Sequence, residues 1–364
     1  MKFRAPVYYS DFHCIADKCK NSCCSAGWEI DIDSETEEFY GNVSGDFGDK
    51  LRKSISNTKP AHFLLDGKKN CPFLNDKKLC DIFTVLGEEH LCQICKDHPR
   101  FYEWFDGVKE AGIGLCCEEA ARIILSNKSP FNTYEVDIDN EDFDKYDTTV
   151  YNYLSECRKK IIEYMDNCSS NCMKKIKNVL WFGNMVQLDL DSGLLDDEDI
   201  IDVGLPDNIN NFGHTNNELS YEMIIEFLCG LEPNSKDWIP YLEKCLNVYN
   251  NSEKHLEEFE NKFTEVNMYL KNIAIYFVWR YFLKSVFDGD VIGKLKLMCI
   301  SVLIIRWLMY CHYLEFGTIS LSNCVDIVRR YSEEIEYSDE NLDKFFTEFY
   351  NGDIFDVEKL INIK

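Results

Sequence analysis

Four cysteines stand within eleven residues near the start of this sequence, at Cys14, Cys19, Cys23 and Cys24. Ten of the 18 cysteines lie in the first 117 residues. They are Cys14, Cys19, Cys23, Cys24, Cys71, Cys80, Cys92, Cys95, Cys116 and Cys117. Thiolates are the ligands that soft metals prefer. The first third of the chain is therefore predicted to bind metal.

Disulfides are the weaker interpretation of these thiols. The first residues, MKFRAPVYYSDFHC, contain no continuous apolar run, so we expect no signal peptide and a cytoplasmic protein. In a reducing compartment, close cysteines bind metal more often than they pair. A bridge between the neighbours Cys23 and Cys24 would also be strained, because disulfide geometry suits residues that lie farther apart.

The spacing favours an iron–sulfur cluster and leaves zinc as the alternative. Zinc sites usually draw on two short cysteine knuckles with histidine, but the sequence has one C-x2-C, from Cys92 to Cys95. An excess of sulfur over histidine is typical of iron–sulfur ligation. The adjacent Cys23 and Cys24 could serve two irons of one cluster or two clusters, or one of them could stand beside the ligand without binding.

The elements that must position these thiols form a mainly α protein. Residues 1–127 predict a cysteine-rich metal-binding domain of mixed α+β and irregular structure, with a hairpin turning at Asp106-Gly107 and a helix over 118–125. An acidic linker is predicted over 128–145. Apolar residues then recur at intervals of three and four, which predicts an all-α helical domain over 146–364. Inside it, the Asp-, Asn- and Gly-rich segment 189–218 predicts a long loop.

The net charge of the chain limits the classes of partner that it is expected to bind. The formal net charge is −25, from 39 basic and 64 acidic residues, which would repel nucleic acid and attract a lysine-bearing surface. The two most apolar segments are each interrupted by charge and are shorter than a membrane span, so we expect no membrane partner. The eight later cysteines lie mostly among apolar residues and are interpreted as small buried side chains.

Four blocks of the sequence resemble a known family. They are YYSDFHCIADKCKNSCCSAGWEIDID, CPFLNDKKLCDI, GEEHLCQICKDHPRFYEW and GLCCEEAARIIL, and together they span about residues 5–127. In order and wording they are similar to the flagellin lysine N-methylases, which share a cysteine-rich domain described as zinc- or iron-chelating. Carried over block by block, the resemblance implies the metal ligands Cys14, Cys19, Cys23, Cys24, Cys71, Cys80, Cys95 and Cys117. Cys92 and Cys116 are extras, and Cys116 could replace Cys117, because Glu118 stands where the family usually has proline.

The resemblance implies a protein-lysine N-methyltransferase that acts on flagellin, with S-adenosylmethionine as methyl donor. The second cofactor expected from the cysteine content and spacing is an iron–sulfur cluster of the 4Fe–4S type, with zinc as the alternative. Lysine must lose its proton before it attacks a methyl group, but no short motif identifies the catalytic base. No motif identifies the donor pocket either: GIGLCCEEAA lacks the third glycine of a dinucleotide loop. Two alternatives remain open, a metal-stapled protein-binding module without catalysis and an iron–sulfur electron-transfer protein.

Overall fold

The computed structural model describes residues 1–167, 171–193, 219–253 and 255–362, together with Leu195 and Leu205. The predicted loop 189–218 falls largely outside these residues. Its first residues are described and end a helix that runs Cys172–Ser192. The predicted mainly helical character is confirmed, with a small sheet near the N-terminus.

The sheet gathers strands that are distant in sequence. The strands in the described residues are β1 (Lys2–Pro6), β2 (Asp31–Ile32), β3 (Ala61–His62), β4 (Arg100–Phe105), β5 (Val108–Ile113) and β6 (Thr133–Asp137). Four of them form one sheet in the order β4-β5-β1-β6, and β2 pairs with β3. The β4-β5 hairpin turns at Asp106-Gly107 as predicted, and Gly107 adopts a φ of 71°, which glycine tolerates without a steric penalty. Strand β1 lies parallel to β5 and antiparallel to β6.

Strand β6 lies within the segment predicted to be a linker. Residues 128–145 therefore contribute to the sheet through the pairing of β6 with β1. The predicted domain boundaries stay a prediction. The hydrophobic core that contains the helices also includes residues of β4, β5 and the helix that follows them.

Residues 13–97 form short helices and turns around the two short strands β2 and β3. The helices up to the end of the sheet region are α1 (Ser34–Asn42), α2 (Gly45–Lys53), α3 (Asp81–Leu86), α4 (Gln93–Asp97) and α5 (Glu118–Ser126). A small apolar cluster lies among α1 to α4, and its buried members are Ile32, Tyr40, Leu51, Phe63, Phe73, Ile82 and Cys92. Helix α5 covers the predicted helix over 118–125 and packs elsewhere, against the main core.

The rest of the chain is helical. Its helices are α6 (Thr148–Asp166), α7 (Cys172–Ser192), α8 (Tyr221–Cys229), α9 (Trp238–Asn250), α10 (Leu256–Lys262), α11 (Thr264–Tyr281), α12 (Ser285–Asp288), α13 (Val291–Phe316), α14 (Leu321–Ile335), α15 (Asp339–Asn351) and α16 (Val357–Asn362). None of these helices, within the ranges that the structure describes, is long and apolar enough to cross a membrane.

Helix α13 is the centre of the main core. It begins where the Asp290 carboxylate accepts a hydrogen bond from the backbone N–H of Gly293, at 2.9 Å, and it ends at Gly317, whose φ is 73°. Most of its residues from Val291 to Cys311 are buried, because α7, α9, α11, α14 and α15 surround it. A helix that is apolar on every side must be buried in this way.

A buried ion pair and an indole hydrogen bond join the sheet to the helices. The Arg158 guanidinium on α6 donates two hydrogen bonds to the Glu110 carboxylate on β5, at 2.6 and 2.7 Å. The Trp279 indole on α11 donates to the backbone oxygen of Ala111, at 3.0 Å. Because both contacts are buried, strand β5 is held firmly against α6 and α11 just before the chain reaches Cys116 and Cys117.

Candidate metal centre and the buried cluster beside it

The ten early cysteines are free thiols, and most are half-buried rather than enclosed. The structure distributes nine of them between two groups. We call Cys14, Cys19, Cys23 and Cys117 the junction thiols, because Cys117 belongs to the segment that enters helix α5. We call Cys24, Cys71, Cys80, Cys92 and Cys95 the inner thiols, because four of them pack on the small apolar cluster.

A carboxylate on α5 joins Cys19 to the segment that carries Cys117. Glu118 accepts hydrogen bonds from the backbone N–H groups of Lys20, at 2.8 Å, and Asn21, at 3.3 Å. The Cys19 thiol lies 3.6 Å from the same oxygen. Cys117 immediately precedes Glu118 and is the residue from which α5 begins. A negatively charged side chain in the first turn of a helix also interacts favourably with the helix dipole.

The same thiols influence each other electrostatically. Burial raises the pKa of Cys117, and the charge of the nearby Cys14 adds to the rise, which brings the pKa to about 11. Burial also raises the pKa of Cys19 to about 12, to which the charges of Glu118 and Cys117 contribute. A pKa raised by desolvation and by like charge means that these thiolates are costly without a cation. Without a bound cation these two thiols are therefore protonated at pH 7.

The inner thiols are placed by the backbone around residues 71–80. The Cys71 N–H donates to the Cys24 carbonyl oxygen at 2.8 Å, which joins the second cysteine block to the first. A β-bridge between Leu74 and Cys80 closes the loop that follows Cys71. Burial raises the pKa of Cys71 to about 12, and the charges of Cys24, Cys80 and Cys92 add to this.

Cys92 and Cys95 complete the inner thiols. Their side chains are hydrogen-bonded to each other, which lowers the pKa of Cys92 and raises that of Cys95. Cys92 is buried and lies just before α4, whereas Cys95 is half-buried within that helix. The resemblance to the family left Cys92 outside the predicted ligands. The structure places Cys92 beside the predicted ligand Cys95.

The two groups meet at the adjacent cysteines. Cys23 and Cys24 lie in a short 3₁₀ turn, Cys23–Ser25, and their thiols are hydrogen-bonded to each other. This hydrogen bond lowers the pKa of Cys24 to about 7. Cys23 also lies close to the charges of Cys14 and Cys117, whereas Cys24 lies close to those of Cys71 and Cys80. Cys95 lies near both members of the pair.

These positions can be compared with the needs of a metal. In the described ranges, no three His, Cys, Asp or Glu side chains lie close enough together to hold one metal ion. The thiolates of an iron–sulfur cluster bind different irons, so they stand farther apart than the four ligands of a single tetrahedral ion. An all-thiol set of donors is of the kind that an iron–sulfur cluster takes as ligands.

Cys116 faces away from both groups of thiols. It is buried beside Tyr337, with which it forms a side-chain hydrogen bond, and burial raises its pKa well above the ordinary value. Of the two candidates in this pair, Cys117 lies near Cys14 and Cys19, and Cys116 lies towards the helical part of the chain. Cys116 is therefore in the poorer position to be a ligand with the junction thiols.

Beside Cys116 lies a buried cluster of polar groups that the sequence patterns did not reveal. Glu336, at the end of α14, accepts hydrogen bonds through Oε2 from the hydroxyls of Tyr276, at 2.8 Å, and Tyr281, at 3.1 Å. Arg280 donates to the same oxygen at 3.1 Å. Oε1 of Glu336 has no hydrogen-bond partner among the described residues. The tyrosines and Arg280 lie in an apolar stretch of α11, where hydrophobic periodicity alone indicates core.

An aromatic contact joins this cluster to the thiol-rich segment. The rings of Trp28 and Tyr337 stack with centroids 6.0 Å apart, and the His98 ring meets Trp28 edge-on at 5.3 Å. Burial lowers the pKa of His98 to about 4, so its imidazole is neutral at pH 7. Both His98 and Trp28 thus make aromatic packing contacts. Trp28 lies four residues after Cys24, so the contact brings the helical part close to the inner thiols.

A family model matches the chain over residues 113–363, and its description is FliB lysine N-methylase C-terminal domain. This match begins at the end of β5 and therefore covers the segment that carries Cys116 and Cys117 and nearly all of the helical part. It is complementary to the four cysteine blocks, which lie mainly before residue 113. The match covers more than half of the chain.

Three relatives are similar to a shorter part of it. Proteins named Lysine-N-methylase from Salmonella choleraesuis and Salmonella typhimurium are 26% identical over 130 residues, which is 34% of this chain and 32% of each relative. The chain thus spans about a third of the length of these two relatives. The Flagellar biosynthetic protein FliU of Salmonella muenchen is also 26% identical over 130 residues, which is 76% of its length. No solved structure matches the chain.

Proposed function

The chain belongs to the FliB lysine N-methylase family, and we propose that it is a cytoplasmic protein-lysine N-methyltransferase that acts on flagellin, with S-adenosylmethionine as methyl donor. The observation that carries this proposal is the family match over residues 113–363. Flagellin as substrate is supported by the name of the relative Flagellar biosynthetic protein FliU. The presence of many free thiols supports a reducing compartment.

The proposal includes a thiolate-bound metal centre in the first 117 residues, which we infer to be an iron–sulfur cluster. The residues that would hold it are the predicted ligands Cys14, Cys19, Cys23, Cys24, Cys71, Cys80, Cys95 and Cys117. When bound, the metal supplies positive charge that stabilises thiolates and free energy that folds the surrounding chain. The small apolar cluster on which the inner thiols pack has few fully buried members, which supports such a role.

The lysine side chain that accepts the methyl group places a separate requirement on the protein. A free lysine amine has a pKa of about 10.4, so it must be deprotonated or desolvated before it attacks a methyl group. The net charge of −25 favours encounter with a basic acceptor surface. If encounter is steered by charge, kcat/KM for flagellin falls as ionic strength rises, whereas the affinity for the methyl donor changes less.

A methyl-transfer assay tests the proposed function. The protein is purified without air and incubated with flagellin and S-adenosylmethionine carrying a labelled methyl group, and flagellin peptides are analysed by mass spectrometry. We expect a mass increase of methyl units on lysine and none in a flagellin whose surface lysines have been acetylated. Binding of flagellin with no methyl transfer would contradict the proposal and favour the binding module instead.

The electron-transfer alternative predicts a different result. A protein of that class would show a reversible redox couple and would leave flagellin unmodified in the same assay. The family match, to a model described as a lysine N-methylase, favours the methyltransferase over this alternative.

A further inference from the structure

The two groups of thiols belong to different parts of the fold. Cys117 packs against the main core, which also contains α5, α11 and α13. Cys71, Cys80, Cys92 and Cys95 belong instead to the small apolar cluster among α1 to α4. Because a packed core holds its residues in fixed positions, Cys117 and these four inner thiols are anchored by different cores.

Backbone contacts divide the first cysteine block in the same way. Residues 19–21 are fixed to α5 by the Glu118 carboxylate, through hydrogen bonds of 2.8 and 3.3 Å. Cys24 is fixed to the inner part by its carbonyl oxygen, which accepts from Cys71 N–H at 2.8 Å. The chain therefore passes from one group to the other between Asn21 and Cys24.

The adjacent cysteines Cys23 and Cys24 lie where the chain crosses from one group of thiols to the other. Cys23 and Cys24 lie in a 3₁₀ turn. Such a turn has three residues per turn, so consecutive side chains leave the backbone about 120° apart. The two thiols interact with each other in this structure, but because their side chains leave the backbone in different directions, each can rotate towards a different metal centre.

We propose that the chain holds two separate metal centres, one bound by Cys14, Cys19, Cys23 and Cys117 and the other by Cys24, Cys71, Cys80 and Cys95. This inference rests on the proposed thiolate metal centre and divides it. The first centre joins the N-terminal segment to α5, and the second stabilises the small apolar cluster. Cys92 stands beside the second centre as a neighbouring thiol, and Cys116 lies outside both.

Metal content measured on matched double variants tests the division. Iron, zinc and acid-labile sulfide are determined, with the visible absorption spectrum, for the full-length protein purified without air. Cys14→Ser/Cys117→Ser is expected to lose one part of the metal and Cys71→Ser/Cys80→Ser the other part, so that the two losses add up to the wild-type content. Cys116→Ser is the control and keeps the full content, because its thiol contacts Tyr337 instead.

The adjacent pair provides a second test that does not depend on the double variants folding. Cys23→Ser and Cys24→Ser change neighbouring half-buried residues. We expect them to diminish different components of the absorption spectrum and of the metal content. The same loss in both single variants, or loss of the complete metal content from both double variants, would show one shared centre and overturn the division.

The outcomes also separate this inference from the proposed metal centre. Wild-type protein that contains no metal would overturn both. Wild-type protein that contains a single zinc ion and no iron would overturn the division and leave a thiolate metal centre in place.

Discussion

The thiol-rich segment 13–97 and the helical part that follows β6 differ in the size of their apolar cores. The helical part has a continuous core around α13, and most residues of that helix from Val291 to Cys311 are buried. In the segment 13–97, the longest helices have nine residues, and the buried residues of its apolar cluster are few. Hydrophobic burial therefore accounts for the helical part. The thiol-rich segment needs a further source of stability, which bound metal can supply.

A buried ion pair joins the helical part to strand β5 of the sheet, which follows the thiol-rich segment in the sequence. Arg158 and Glu110 form a buried, doubly hydrogen-bonded pair between α6 and the sheet. Arg158→Met should lower the free energy of unfolding by roughly 3–5 kcal/mol, because it leaves a buried carboxylate with less compensation. Arg4 also contacts Glu110, at 3.2 Å, which favours the lower end of that range.

Urea unfolding followed by circular dichroism measures this effect. The neighbouring Lys159→Met is the control, since Lys159 is 62% exposed and its contact with Glu156 is a surface pair. Equal losses of stability in the two variants would mean that the buried pair does not join the sheet to the helices in the manner described.

A cavity in the main core should affect stability without affecting metal. Ile304, on α13, is fully buried. Ile304→Ala is expected to cost roughly 2–5 kcal/mol, through lost burial and the cavity left behind. Phe316→Ala, on the same helix at a position that is 58% exposed, should change the free energy of unfolding by less than about 0.5 kcal/mol. Metal content measured in the folded Ile304→Ala protein should equal the wild-type value; a marked fall would show that the core and the metal centre are not independent.

A smaller effect is expected at the start of α14. Ser320 caps this helix by accepting from the Asn323 N–H, and the Asn323 side chain accepts in return from the Ser320 N–H. Ser320→Ala should cost about 1 kcal/mol in urea unfolding. Ser322→Ala removes an exposed hydroxyl that accepts from Lys20, and little change is expected. A loss at Ser322 as large as that at Ser320 would mean that the contact with the thiol-rich segment matters more than the cap.

The smallest effect concerns pH and is confined to the helical part. Burial raises the pKa of Glu334 from 4.5 to about 7, although the N–H groups of Asn234 and Ser235 donate to its carboxylate. A raised folded-state pKa contributes stability that is present below pH 4.5 and is lost as pH rises through about 7. Relative to Glu334→Gln, the wild-type free energy of unfolding should therefore decline between pH 4.5 and 7. Parallel pH profiles for the two proteins would contradict this assignment.

Much of the fold was accessible from the sequence, because it depends on local patterns. The hairpin at Asp106-Gly107, the helix from Glu118 and the helical periodicity after residue 146 are confirmed. Strands β1 and β6 were missed, since β1 pairs with partners more than a hundred residues away and β6 is largely exposed and polar. Helix α9 was missed as well.

The candidate site, like the fold, could be predicted from the sequence only in part. Residue type and clustering predicted that the early cysteines bind metal, and that assignment stays a prediction. Their distribution between two groups depends on contacts over long distances in sequence, such as that between Cys24 and Cys71, which spacing cannot specify. The cluster of Glu336 with Tyr276, Tyr281 and Arg280 was hidden because its members lie in helices whose periodicity indicates core.

The most direct test of the contrast between the two parts is amide hydrogen exchange, measured by mass spectrometry on peptides of the reduced full-length protein before and after metal is removed with a chelator. Metal removal is expected to abolish protection in residues 13–97 and to leave protection in α13 unchanged. Unchanged protection in residues 13–97, or equal loss in both parts, would contradict the account that metal stabilises one part and hydrophobic burial the other.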